Sequence, residues 1–214
     1  MYKIDTDKLE EGLMITGRNA QTTEALLVRT GVHSFTNHNA MVVKATQSAL
    51  DYMKDIGQPT EGIEVGDFCI AEAKPPFSTL SSIASYEAIM NDGVYLVRFY
   101  RIKTLKKEQS ALTAAYFVRY LLGLPYPRKC KMILLAMPIY NAIIDRINIA
   151  PSIRLTWCSQ LVKEAFTSQD ANCLDGVKGY KKSLFTPKTF ENRIMFGIFE
   201  DVTDSILIKQ IDLD

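Results

Sequence analysis

The chain has 214 residues, 47% of them hydrophobic, and its 25 Lys and Arg against 24 Asp and Glu leave a net charge of +1. That length suits a single domain, residues 1–214, with a sizeable core. The near-zero charge gives no reason to expect general nucleic-acid binding or electrostatic attachment to a membrane, and leaves local patches open. Four scattered cysteines without a Cys-x-x-Cys pair, and only two histidines, give no zinc-ligand spacing, so neither metal nor cofactor is expected.

The first residues, Met1 to Glu11, are charged and carry no apolar signal core. With no other targeting signal, a cytoplasmic protein is the expectation. Gly12 to Gly17 reads as a short strand and Thr22 to Arg29 as a helical turn or two. A polar loop, Gly31 to Asn37, leads through His38 into a buried strand, Ala40 to Val43. Ala45 to Ile56 has the pattern of a modest amphipathic helix, closed by Gly57 and Pro59. Phe68 to Ala71 is a strand that delivers Glu72, and Lys74-Pro75-Pro76 stops it. Ser78 to Met90 is mixed, helical in its second half, and Asp92-Gly93 turns the chain. Val94 to Ile102 is the strongest strand signal, apolar on both faces.

Glu108 to Leu122 predicts a helix with Leu112, Ala115, Val118 and Leu122 along its buried side, ended by Gly123 and Pro125. Lys131 to Ile147 predicts a second long helix, interrupted at Pro138. The apolar run Met132 to Ile149 is broken by Pro138, Asn141, Asp145 and Arg146, which excludes a membrane span. Cys158, Leu161, Val162, Ala165 and Phe166 then fall on one helical face behind Thr156, a candidate N-cap. Asn192 to Phe199 and Ser205 to Ile211 read as closing strands. Strands on either side of a mainly helical middle predict an α+β fold with an antiparallel sheet packed against helices.

One group of residues suggests chemistry. A cysteine in the first turn of a helix meets unpaired N–H groups and the positive end of the helix dipole, which favour thiolate over thiol. Cys158 is so placed if Thr156 is the cap. A thiolate nucleophile needs a base and a group to orient that base. His38, at the mouth of a strand, is the better candidate base; His33 lies in a loop without such support. Glu72, at the margin of an apolar strand, is the candidate orienting acid. Each residue also has an ordinary reading, as core thiol, surface histidine or solvated carboxylate.

The chain order His–Glu–Cys, with these neighbourhoods, resembles the circularly permuted papain-fold amidases of the NlpC-like superfamily, of the YaeF/YiiX type. The lecithin–retinol acyltransferases are more distant relatives. The matching segments are N-H-N-A-M-V-V at Asn37 to Val43, I-A-E-A-K-P-P-F-S-T-L at Ile70 to Leu80 and Y-L-V-R-F-Y-R at Tyr95 to Arg101. G-L-P-Y at Gly123 to Tyr126 and W-C-S-Q-L-V at Trp157 to Val162 complete the set. The resemblance implies Cys158 as nucleophile, His38 as general base and Glu72 as orienting acid, with backbone N–H groups of the Cys158 helix at the oxyanion. Three features depart from the family pattern: Gln160 in place of Glu, the added Ala45–Ile56 helix, and Glu11-Gly12 in place of a Gly-Asp strand motif.

The implied function is cysteine-dependent cleavage of an amide through a thioester, with a peptide, a cell-wall peptide or a conjugated tail as substrate. A lipid substrate, through acyl transfer or deacylation with Met132 to Ile149 as apolar entrance, is the alternative within enzymes. A catalytically idle binding module of the same fold is the alternative outside them.

Overall fold

The computed structural model describes residues 1–19, 38–93, 95–126, 158–174 and 187–209. Strands β1 (Tyr2–Ile4) and β2 (Met14–Asn19) are separated by a 3₁₀ turn at Thr6–Lys8; β3 (His38–Lys44) leads to helix α1 (Gln47–Asp55). Next come β4 (Phe68–Ala73), β5 (Ser78–Ser82), α2 (Ile83–Asn91), β6 (Tyr95–Ile102) and α3 (Lys107–Tyr116). The last of these winds on as a π-helical turn, Phe117–Leu121. The described chain closes with α4 (Cys158–Thr167), α5 (Pro187–Met195), β7 (Phe199–Asp201), α6 (Thr203–Ile206) and β8 (Leu207–Lys209).

Six strands form one antiparallel sheet in the order β5-β4-β3-β2-β6-β7, and β1 pairs with β8 in a separate ribbon. Both sheet faces are covered, as the apolar runs of β3 and β4 require. Because strand side chains alternate, Met41 and Val43 of β3 face one way and Ala40 and Val42 the other. The first set joins Cys69, Ala71, Met14 and Tyr100 in a core closed by α1, α3, α4 and α5. The second joins Ile15, Ile70, Val97 and Phe99 under α2 and α6. The fold is α+β, with an antiparallel sheet packed against helices.

Helix α4 follows its sequence pattern. Cys158, Ser159, Leu161, Val162, Ala165 and Phe166 are buried, and Phe166 stacks edge-on to Phe199 with ring centroids 5.9 Å apart. Burying Leu161, Val162 and Phe166 contributes about 1.5–3 kcal/mol each. That packing fixes the helix whose first residue is Cys158. Helix α1 is capped by Thr46, whose hydroxyl accepts the Ala49 N–H, and it buries Ala49, Leu50 and Met53.

Several sequence expectations are corrected. The first expected strand, Gly12 to Gly17, begins two residues later, because Gly12 turns the chain at φ +83° and packs so closely on Ser110 that a Cβ would meet its backbone. Helix α3 buries Ser110, Thr113 and Ala114, and the π-helical turn after it buries Phe117; Leu112 is 55% exposed, so the buried stripe is rotated from the one expected. Helix α3 contacts β3 and α4. Ser78 to Ser82, a polar stretch with a weak strand signal, is strand β5. Asn192 to Phe199 is not a strand. Its first part belongs to α5, which buries Phe190 and Arg193, and Gly197 at φ +74° ends that turn before β7. In the described part of Ser205 to Ile211, Leu207–Lys209 is extended and follows a helical turn at Thr203–Ile206; Gln210 and Ile211 lie outside the described residues.

Thr22 to Arg29, Gly31 to Asn37 with His33, Cys130, the Lys131–Ile147 and Met132–Ile149 runs, Thr156 and Trp157 lie outside the described residues. Among the described residues, no helix is long and apolar enough to cross a membrane.

Candidate active site

His38 is the first residue of β3, so its side chain leaves from the end of the sheet. It shares a face with Ala40 and Val42, and Glu72 of β4 sits on that face because Ala40 pairs with Glu72 in the β3–β4 ladder. His38 Nε2 and Glu72 Oε2 are 2.8 Å apart. Glu72 is buried, and its carboxylate has further donors. The Tyr86 hydroxyl donates to Oε2 at 2.7 Å, and Lys74 Nζ donates to Oε1 at 2.8 Å. Ser81 Oγ donates to Oε1 as well and accepts from Lys74 Nζ at 2.7 Å.

These contacts decide the protonation of Glu72. Burial alone would raise its pKa; hydrogen bonding and charge from His38, then Lys74, outweigh burial and hold it well below the usual carboxylate range. An ionised Glu72 accepts from Nε2–H, which leaves Nδ1 as the ring nitrogen for another partner.

That partner is Cys158. Its helix packs on the opposite face of the sheet from the His38–Glu72 pair, and the two meet at the open end of β3. Burial opposes both charges here, yet hydrogen bonding between imidazole and thiol raises the His38 pKa and lowers that of Cys158. Glu72 adds to the first shift. The Asn39 backbone N–H and the Ser159 hydroxyl, whose Oγ is 3.9 Å from Sγ, add to the second. A thiolate–imidazolium pair is the state this environment favours. Cys69 is the internal contrast: burial, with the nearby charge of Asp67, pushes its thiol up to about 12.

Two tyrosines wall the pair. The Tyr95 ring lies 6.4 Å from the His38 ring and 6.3 Å from that of Tyr86, edge-on in each case. Tyr95 crosses β2 at Gly17, where any Cβ would run into its ring. Burial raises the pKa of both phenols well above normal, with the Glu72 charge adding to it, so both stay protonated.

The structure therefore brings His38, Glu72 and Cys158 together. Sequence reasoning missed Lys74, Ser81, Tyr86, Tyr95 and Asn39. Lys74 lies two residues beyond Glu72, a period-two signal that was readable. Ser81 needed β5 to be seen as a strand, and the tyrosines are placed only by tertiary packing. At Gln160, the family departure, Oε1 is buried with no hydrogen-bond partner among the described residues. Among the described residues, no group of three or more His, Cys, Asp or Glu side chains is arranged to hold a metal ion.

No known family model matches the sequence, and no curated protein matches it. Among solved structures the chain is similar to a metalloprotein, YiiX from Escherichia coli O157:H7, with a TM-score of 0.47 and 15% identity. The alignment covers 76% of this chain and 67% of that one. A likeness at that level carries no argument about activity, metal or substrate.

Proposed function

We propose that this chain is a cysteine-dependent amidase or peptidase on a circularly permuted papain-like, NlpC-like fold. The observation that carries the reading is His38 standing between an ionised Glu72 and a Cys158 thiol whose ionised form it stabilises. The chain order His–Glu–Cys and the segments around the three residues support the permuted arrangement.

In this reading the Cys158 thiolate attacks the carbonyl carbon of an amide, forming a C–S bond and placing negative charge on the oxygen. Backbone N–H groups at the start of α4 and nearby stabilise that charge. Collapse breaks the C–N bond, and the imidazolium of His38 gives its proton to the departing amine. A thioester remains. Neutral His38 then takes a proton from water, whose oxygen attacks the thioester carbon, and thiolate and imidazolium are restored as the acid leaves. Glu72 stays ionised throughout, holding the ring by Nε2 and stabilising its positive form. Lys74, Ser81 and Tyr86 hold Glu72.

The test is to incubate the protein with a pool of N-acylated peptides and detect free amines, with Cys158→Ala as control. A hydroxylamine-sensitive acyl adduct on Cys158, found by intact mass, would identify the thioester. Amine release that persists in Cys158→Ala sinks the proposal.

A further inference from the structure

The imidazole of His38 is held at two points, by its Cβ on β3 and by Nε2 on Glu72 at 2.8 Å. Two fixed points define a line and not a plane. The ring can still swing about that line and carry Nδ1 off Cys158. A third contact, from the side, is needed to fix its plane. Tyr95 supplies one. Its ring meets the imidazole with centroids 6.4 Å apart and planes at 62°, within the edge-on geometry that aromatic pairs favour.

The Tyr95 ring is itself fixed. Gly17 stands opposite His38 in the β2–β3 ladder, and the phenol lies over Gly17 in the space a Cβ would take. On another side the Tyr86 ring meets it, with centroids 6.3 Å apart and planes at 89°. Tyr86 is tied down in turn by the hydroxyl it donates to Glu72 Oε2 at 2.7 Å. The contacts close a circuit from His38 to Glu72, Tyr86, Tyr95 and back to His38, drawn from β3, β4, α2 and β6. Neither ring contact of Tyr95 uses its hydroxyl. Resting on the amidase reading above, we infer that Tyr95 is a positioning residue, whose ring stops the imidazole swinging and keeps Nδ1 facing the Cys158 sulfur. It acts through His38. The same orientation serves the step in which His38 gives its proton to the departing amine.

The test reads the pH midpoint of iodoacetamide labelling at Cys158 by peptide mapping, each variant being held below its melting temperature. Tyr95→Leu removes the ring, and Tyr95→Phe keeps the ring without the hydroxyl. Phe99→Leu removes a different ring from the same core, further along β6 on the same face. Tyr95→Leu should raise the midpoint by roughly half to one pH unit, the worth of one edge-on aromatic contact. Tyr95→Phe and Phe99→Leu should keep the wild-type midpoint. Gly17→Ala, which pushes the intact Tyr95 ring aside, should raise it too. A midpoint unmoved in Tyr95→Leu, or in Gly17→Ala where Tyr95→Leu does not fold, overturns the inference. A rise in Tyr95→Phe equal to that in Tyr95→Leu would assign the effect to the hydroxyl. An equal rise in Phe99→Leu would assign it to loss of core packing. Either result also overturns the inference. If His38→Ala leaves the midpoint where the wild type has it, there is no ion pair to position. The thiolate reading then fails, and this inference falls with it.

Discussion

His38 and Glu72 stand on neighbouring strands, on one face of the sheet, with Nε2 and Oε2 2.8 Å apart. The contact fixes the imidazole by one nitrogen and turns the other toward Cys158. Because Tyr86 also donates to Oε2, and Lys74 and Ser81 to Oε1, the carboxylate cannot rotate without breaking several hydrogen bonds at once. A pair held in this way favours a thiolate at Cys158.

The state of Cys158 can be tested first. At about pH 6, well below the ordinary cysteine value of about 8.5, iodoacetamide should label Cys158 ahead of Cys69, Cys130 and Cys173. Cys69, pushed up to about 12, should be slowest to ionise. His38→Ala should move Cys158 labelling to higher pH, since the partner charge is gone. Peptide mapping by mass spectrometry reports the order. Labelling of Cys158 that ignores the loss of His38 would show that no ion pair exists in the resting protein.

Replacement of the individual groups should separate their roles. His38→Ala should cost the roughly 10²–10⁴-fold typical of a general base, whereas His33→Ala should leave activity largely intact. Glu72→Gln should cost less than Cys158→Ala, because it removes orientation and charge and leaves the nucleophile. It should also narrow the reactive pH window from the alkaline side, since His38 without Glu72 loses its proton at lower pH. Equal loss from both histidine variants in steady-state rates would point to a different base.

Acid should weaken the fold through Glu72. Its pKa is lower folded than the roughly 4.3 of an unfolded glutamate. Its contribution is therefore complete above that value and is lost as pH falls toward the folded pKa. Thermal melts between about pH 3 and pH 7, a span bracketing that value, should show a shallower acid limb in Glu72→Gln. Lys74→Met, which removes one of the cations holding the carboxylate ionised, should shallow it in part. Parallel acid limbs in all three proteins would mean that Glu72 is not held ionised in the fold.

Gly17 is needed for the close approach of Tyr95. Gly17→Ala should displace that ring and destabilise the protein by about 1–3 kcal/mol, the usual range for overpacking. Chemical denaturation would measure it. Restored stability in Gly17→Ala with Tyr95→Phe would locate the clash at the hydroxyl, and none at all in Gly17→Ala would mean that β2 shifts freely there.

The helix beginning at Cys158, the strand behind His38, the strand carrying Glu72 and the strong strand ending at Ile102 were all legible in the sequence. Each is carried by a local period of apolar residues, and such periods survive without knowledge of the neighbours. The three candidate site residues were legible for the same reason, since each sits at a recognisable place on such an element. Where local patterns were ambiguous, only tertiary contact decided. Asn192 to Met195 could serve strand or helix, and burial of Phe190 and Arg193 chose the helix. Leu112 is 55% exposed, while Thr113 and Ala114 take the buried face of α3, which contacts β3 and α4. The charge state of the site belongs to this second kind. Lys74 follows β4, Ser81 lies in β5 and Tyr86 in α2, and what they do together to Glu72 depends on distances of a few ångströms that only the tertiary structure sets.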